Sequence, residues 1–263
     1  MNIDEIKIGL NTKILGKEII YFSETTSTND IAVKLAKNGA EEGTIVIADY
    51  QTGGRGRRGR IWFAPSETCI LSSIILRPSL SLKYINILTP IAVVSIVNTI
   101  NSITQLDASV KWPNDVVIGE KKVSGVLTET RILKNGIDFA VVGIGINVNV
   151  SKDKIPLEIS EIATSLYMEL GHKICRIHLF QEIIRQFEKR YLGLNETTYN
   201  EFLNEWKSLS TIIGNRVQIE SENNIRLGTA LDIDKNGSLI IKLDSEDIIK
   251  INNDDLVKIR NIK

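Results

Sequence analysis

Apolar and polar positions alternate along this chain with two distinct periods, and the period changes mark its elements. Residues 17–22 and 44–50 are apolar and β-branched, which predicts two strands. Between them Ile31, Ala32, Leu35 and Ala36 fall at helical spacing and end at Asn38-Gly39, a helix stop. Residues 69–77 read as a third strand. Ile85, Leu88, Ala92, Ile96, Thr99 and Ile103 then mark a long helix with a buried face. Residues 109–149 read as a run of strands, with turns at Gly119-Glu120 and at Asn135-Gly136, a favoured hairpin pair. Two more amphipathic helices follow, one on Ile177, Phe180, Ile184, Phe187 and Tyr191, the next on Tyr199, Phe202, Leu203 and Trp206. After about Ser210 the helical period stops and proline disappears. Short β-branched runs (Arg216–Glu220, Ser238–Leu243, Asp247–Ile251, Leu256–Ile259) alternate with polar turns, predicting a small all-β unit of about five strands. The predicted class is α+β: a central mixed β-sheet with packed helices, plus a small C-terminal β-barrel. The expected division is a lead-in over 1–16, a large unit over 17–210, and a separate small all-β unit over 211–263 with its own small core.

Composition narrows the function. The chain has 263 residues, with 32 Lys+Arg against 32 Asp+Glu, so its formal net charge is zero. A balanced charge argues against sequence-independent binding to DNA, which needs a positive surface. Uninterrupted apolar runs such as Ile91–Val94 are far shorter than a bilayer span, and the acidic Met1–Glu5 start is unlike a signal peptide. The expectation is a protein outside the membrane, in the cytoplasm. Cys69 and Cys175 do not form a CxxC pair, which fits that reducing compartment.

The strongest local signal is Gly54-Arg55-Gly56-Arg57-Arg58-Gly59-Arg60. Glycine lets backbone N–H groups approach a ligand and form an anion nest, and arginine adds forked donors for phosphate or carboxylate. A merely solvated charge run is the duller reading, and the regular glycine interleaving counts against it. A nucleic-acid patch lacks any matching basic stripe elsewhere. The segment also spells G-x-G-x-x-G, but a dinucleotide fingerprint must open a helix and meet an acidic residue about 20 positions on. Here Ile61-Trp62-Phe63-Ala64-Pro65 follows, and no Asp or Glu lies between Thr68 and Asp107. The match is accidental, and no P-loop pattern occurs.

Gln51 through Trp62 resembles the biotin-binding loop of biotin–protein ligases. Lys111-Trp112-Pro113-Asn114-Asp115 resembles the second motif of that family, and Lys122-Val123-Ser124-Gly125-Val126-Leu127 the third. Ser27-Thr28-Asn29 and Gly143-Ile144-Gly145-Ile146-Asn147 also match, in order, and the likeness runs from about Ile14 to the end.

The resemblance implies a class II synthetase-like catalytic domain that forms biotinyl-5'-AMP from biotin and ATP. It then passes biotin to a lysine of a biotin carboxyl carrier protein domain. It implies biotin contacts from Ser27, Thr28, Asn29, Gln51, Gly54, Arg55, Gly56, Arg57, Lys122, Gly125 and Gly143. It implies nucleotide contacts from Arg57, Arg60, Trp62, Lys111, Asn114 and Asn147, and chemistry from Lys122, Arg57, Lys111 and Asp115, with Asp115 a candidate for Mg²⁺ that arrives with ATP. Plainer readings stand beside these: Ser27 or Thr28 as a helix cap, Trp62 as a core residue, Trp-Pro-Asn-Asp as a turn, and Gly125, Gly143 and Gly145 as sites of tight packing. Bifunctional family members carry an additional N-terminal DNA-binding domain. With at most about 16 residues before the first matched strand, specific DNA binding is not expected. A homodimer through the sheet edge near Asp138–Asn149 and a monomer both stay open. The rival functions are a lipoate–protein ligase or acyl transferase of the same fold, and a nucleic-acid-binding regulator.

Overall fold

The computed structural model describes residues 1–79, 81–134, 136–221, 224–253, 255 and 257–262. Seven strands form the central sheet: β1 (Ile19–Thr25), β2 (Ile45–Gln51), β3 (Cys69–Leu76), β4 (Ala108–Lys111), β5 (Asp115–Ile118), β6 (Lys121–Leu133) and β7 (Gly136–Asn147), in the order β1-β2-β3-β7-β6-β5-β4. β1 and β2 pair in parallel and all other neighbours antiparallel, so the sheet is mixed, as the sequence predicts. The Asn135-Gly136 turn falls partly outside the described residues at Asn135. So does the start of the last predicted strand at Leu256.

Period-two alternation gives each strand two faces with different partners. On β7 the even positions Ala140, Val142, Ile144 and Ile146 join the main core, with α3 (Leu88–Thr104) and α5 (Arg176–Leu192) covering it. The odd positions Phe139 and Val141, with Val46 and Ile75, pack beneath α2 (Thr28–Lys37). Further along that second face the same alternation reaches Gly143 and Gly145, and Ser73 on β3. Bulk gives way to open and polar positions. The site lies there.

The segment Tyr84–Thr104, a 3-10 turn leading into α3, is long and apolar enough to cross a bilayer, which short uninterrupted runs did not reveal. Its apolarity has a plainer source: α3 lies between the sheet and α5 and buries residues such as Leu88, Ile91, Val94, Ile96 and Ile100. The first residues are also more than a lead-in. Asn2 caps α1 (Ile3–Leu10) by accepting from the amide of Asp4 at 3.0 Å. The helix buries Ile6 and Leu10 and packs on α5. Buried Glu188 of α5 accepts from the amides of Lys13, Ile14 and Leu15 at 2.6–2.8 Å, which fixes the segment that enters β1.

The C-terminal unit contains β8 (Arg216–Ser221), β9 (Asn224–Ile233), β10 (Leu239–Leu243), β11 (Ile248–Ile251) and β12 (Lys258–Asn261) in an antiparallel sheet ordered β11-β10-β9-β8-β12. The expected barrel is open, because β11 and β12 form opposite edges and do not pair among the described residues. The expected separate core is not separate either. Val217, Ile219, Ala230, Leu239 and Ile241 belong to the same buried cluster as Trp206 and Tyr199 of α6 (Glu196–Ser208) and the central sheet. The connection between the two sheets also pairs with β4: Val110 N–H donates to Leu209 O at 2.8 Å and Thr211 N–H to Val110 O at 2.9 Å. That pairing covers one edge of the central sheet. The edge expected near Asp138–Asn149 is likewise not free, since β7 lies between β3 and β6 along Ala140–Asn147.

Candidate functional site

Register brings distant motifs onto one transverse row. Lys111 pairs with Asp115, Asp115 with Gly125, Gly125 with Gly145, and Gly145 with Leu71. The second and third motifs and the glycine segment therefore lie side by side, although more than 30 residues separate Lys111 from Gly145. Trp62 lies over this row. A Cβ on Gly145 would lie 2.6 Å from Trp62 Cε2, and one on Gly125 3.2 Å from Trp62 Cζ3. Lys122 Nζ sits 5.1 Å from the indole centroid and 2.6 Å from Asp115 Oδ1. Lys122 is held on its backbone too, by pairing with the loop that carries Ala163: its N–H donates to Ile162 O and its O accepts from Thr164 N–H. A cation is thus fixed beside an aromatic face and a carboxylate, with the lysine about a third and the carboxylate about a quarter exposed.

The second group surrounds the start of α2. Ser27 occupies the N-cap position but its side chain makes no capping bond. Gln51, at the end of neighbouring β2, does that work: its Oε1 accepts from Thr28 N–H at 2.7 Å and from Thr28 Oγ1 at 3.0 Å. Ser73 Oγ donates to Asn29 Oδ1 at 2.6 Å and lies 2.8 Å from Thr28 Oγ1. Asn29 Nδ2 donates to Glu129 Oε2 at 2.8 Å. Arg55 bridges Asp30 and Glu129, tying the loop to this network. The space freed at Gly143 belongs to Asn29, whose Oδ1 would be 2.1 Å from an added Cβ. Tight packing of protein side chains thus accounts for Gly125, Gly143 and Gly145 here, the plainer of the two readings.

The Gly-Arg loop turns back on itself, with Gly56 N–H donating to Arg60 O at 2.7 Å and Trp62 N–H to Gly54 O at 2.9 Å. Arg57 reaches Asn114 Oδ1 at 3.3 Å and the carbonyl of Asn253, which joins the first two motifs to the C-terminal unit. Asn114 is itself fixed by donating Nδ2 to Val126 O at 2.7 Å. Trp112 donates Nε1 to Gly237 O at 3.0 Å, so this motif tryptophan is a tether.

Three expected contacts stand apart. Lys111 and Arg60 are exposed at the rim. Asn147 is buried, with Nδ2 spent on Thr164 O at 3.0 Å and Oδ1 3.8 Å from Cys69 Sγ. Burial pushes the Cys69 thiol up to about 11, so it is no thiolate nucleophile at neutral pH. Sequence reasoning missed Ser73, Glu129 and the Ile162–Thr164 loop. Only Ser73 left a signal, as a polar position within an apolar strand.

Two family models cover most of this arrangement. The Biotin/lipoate A/B protein ligase family model matches residues 21–147, and the Biotin protein ligase C terminal domain model matches residues 212–253. The bifunctional ligase/repressor BirA of Bacillus spizizenii is 39% identical over 238 residues, 90% of this chain and 73% of that protein. The chain belongs to the biotin protein ligase family. The biotin--[acetyl-CoA-carboxylase] ligase of Mycobacterium tuberculosis is 29% identical over 232 residues, covering 86% of this chain and 83% of its own. The structure of biotin protein ligase from Aquifex aeolicus in complex with biotin and ATP superposes with a TM-score of 0.78 at 30% identity, over 94% of this chain and all of that one. The C-terminal match sets the chain with biotin ligases within a family that also includes lipoate enzymes.

Proposed function

We propose that the chain activates biotin with ATP and transfers it to a lysine of a biotin carboxyl carrier protein domain. In the first step a biotin carboxylate oxygen attacks the α-phosphorus, the bond to the bridging oxygen breaks, and pyrophosphate leaves. In the second the neutral lysine amine attacks the acyl carbon of biotinyl-5'-AMP. AMP leaves, the amine loses a proton, and an amide results. Both steps build negative charge near the α-phosphate, and a cation fixed in advance lowers that cost most. The observation that carries the reading is Lys122 Nζ, held between Asp115 and Trp62 on the glycine row.

Residues of the α2 network, Thr28, Asn29 and Gln51 with Ser73, suit the ureido ring, which offers two N–H donors and one acceptor. Ser27, buried beside them, accepts from Ile31 N–H through its carbonyl at the start of α2. Gly54, Gly56 and the Arg55–Arg57 backbone suit the valerate chain and its carboxylate. Arg57, Arg60 and Lys111 suit phosphate, with Trp62 and Asn114 beside the nucleotide. Asn147 would serve the adenine only by supporting Thr164. For Mg²⁺ the fit is poor. Asp115 is a single carboxylate already paired with Lys122, and no three acidic, His or Cys side chains gather among the described residues. The free thiols at Cys69 and Cys175 suit the cytoplasm. Zero net charge weighs against sequence-independent DNA binding, and a homodimer would need a surface other than β7.

Biotin-dependent exchange of pyrophosphate into ATP, with lipoate in parallel, tests this. Exchange with biotin and transfer to a carrier domain are expected. Exchange with lipoate alone would overturn the reading.

A further inference from the structure

From Arg55 to Ile61 the Gly-Arg loop buries no side chain of its own, and Ile61 is 87% exposed. Apolar packing cannot hold it. Its internal hydrogen bonds shape the turn but do not attach it to the protein. The attachments are arginines, and one of them has no part in the proposed chemistry. Arg58 donates Nη1 to Val257 O at 2.8 Å and Nη2 to Asp255 O. Arg57 reaches Asn253 O in the same stretch. Carbonyls at every second position between β11 and β12 thus converge on two adjacent guanidiniums, whose planar forks suit such a row. Three bonds brace the accepting segment: Asn252 N–H donates to Asp255 Oδ2 at 2.6 Å, Asp255 N–H to Asn252 O at 3.1 Å, and Val257 N–H to Asp255 O at 2.8 Å. Arg58 also has φ 58° and ψ 35°, a left-handed conformation that glycine adopts more cheaply. An arginine there incurs backbone strain, and the contacts of its side chain offset it.

Resting on the ligase reading above, we infer that Arg58 is a positioning residue through which the C-terminal unit latches the loop closed over the activated acyl group. The latch sets how long biotinyl-AMP stays before a carrier arrives. It acts on retention through the loop and touches no reacting atom.

Hydrogen exchange of amides 53–62 in the ligand-free full-length protein is compared among wild type, Arg58→Ala, Arg58→Gly and Arg58→Lys. Release of preformed biotinyl-AMP without carrier is then timed for the same four. Loss of the exposed fork should speed both by roughly three- to tenfold. Arg58→Gly keeps the turn free of strain, so a change there comes from the lost contacts. Arg58→Lys, with one compact donor group, should fall between. Unchanged exchange would overturn the latch. Faster exchange with unchanged release would overturn its role in retention. A wild type that makes no biotinyl-AMP would sink the ligase reading alone, and amide exchange would still judge the latch.

Discussion

Replacing Gly143 with alanine tests whether the second sheet face is built around Asn29. Gly143 has no positive φ, so alanine brings no backbone strain, and the effect comes from space. Its Cβ would lie 2.1 Å from Asn29 Oδ1, 2.8 Å from Cγ and 3.1 Å from Nδ2, against a side chain only 4% exposed. Asn29 cannot keep its place. It would lose the bonds from Ser73 Oγ at 2.6 Å, to Glu129 at 2.8 Å and to Leu127 O at 3.3 Å. Overpacking costs about 1–3 kcal/mol and each of the three lost bonds about 0.5–1.5 kcal/mol, so roughly 3–7 kcal/mol of stability should go. Biotin binding should weaken at least tenfold if this network holds the ureido ring, since roughly 1.4 kcal/mol is tenfold. Urea unfolding and calorimetric titration measure the two losses. The decisive comparison is a double-mutant cycle with Asn29→Ala, which removes the clashing atoms in advance. Residues in contact should couple by more than about 0.5 kcal/mol. Additive losses would refute the reasoning.

Lys122→Ala should cut pyrophosphate exchange by about 10²–10³ while changing stability by under about 1 kcal/mol, because a partly exposed ion pair contributes little; equal losses in biotin affinity and exchange would count against it. Arg57→Gly removes the ties to Asn114 and Asn253, so biotinyl-AMP should escape and label unrelated lysines, detectable by blotting for biotin. Removing residues 211–263 should expose Trp206, now fully buried, and lower the melting temperature of the remainder as well as its activity; a truncated chain with native fluorescence and stability would contradict the continuous core. Glu205 is held below the usual carboxylate range. Burial raises it, but bonds from Arg190 and Asn98 outweigh that. Its contribution is therefore present above about pH 4.3, the unfolded value, and lost as pH falls through the lower folded value. Glu205→Gln should be less stable than wild type at neutral pH, and the gap should close in acid.

Where the sequence was legible, one period governed a long stretch. α3 and α5 stood out because one face of each is apolar over seventeen residues. The motif loops were legible because glycine and arginine together are rare without a ligand. β9 was not, since Ile225, Leu227 and Leu231 point outward while Gly228 and Ala230 point inward, which inverts the usual pattern. α1 shows only two buried positions, too few to establish a period. The partners of Arg58 are backbone carbonyls, which carry no residue signature at all. The pairing of Gly143 with Asn29 depends on α2 lying across β7, a relation that spacing along the chain does not encode.

The reach of the two arginines also bears on when the enzyme can begin to work. Arg57 and Arg58 find their carbonyls 196–199 residues further on. At the ~5–20 residues per second of synthesis, the loop emerges roughly 10–40 s before the segment that holds it. During that interval a growing chain already has its lysine and its glycine row, but nothing to fasten the loop across them. A half-made molecule would therefore let go of any reactive anhydride it produced, and a finished one would not. With the fastening some 196–199 residues beyond the loop, the latch inferred above would make synthesis of that later segment a condition for retaining the acyl group.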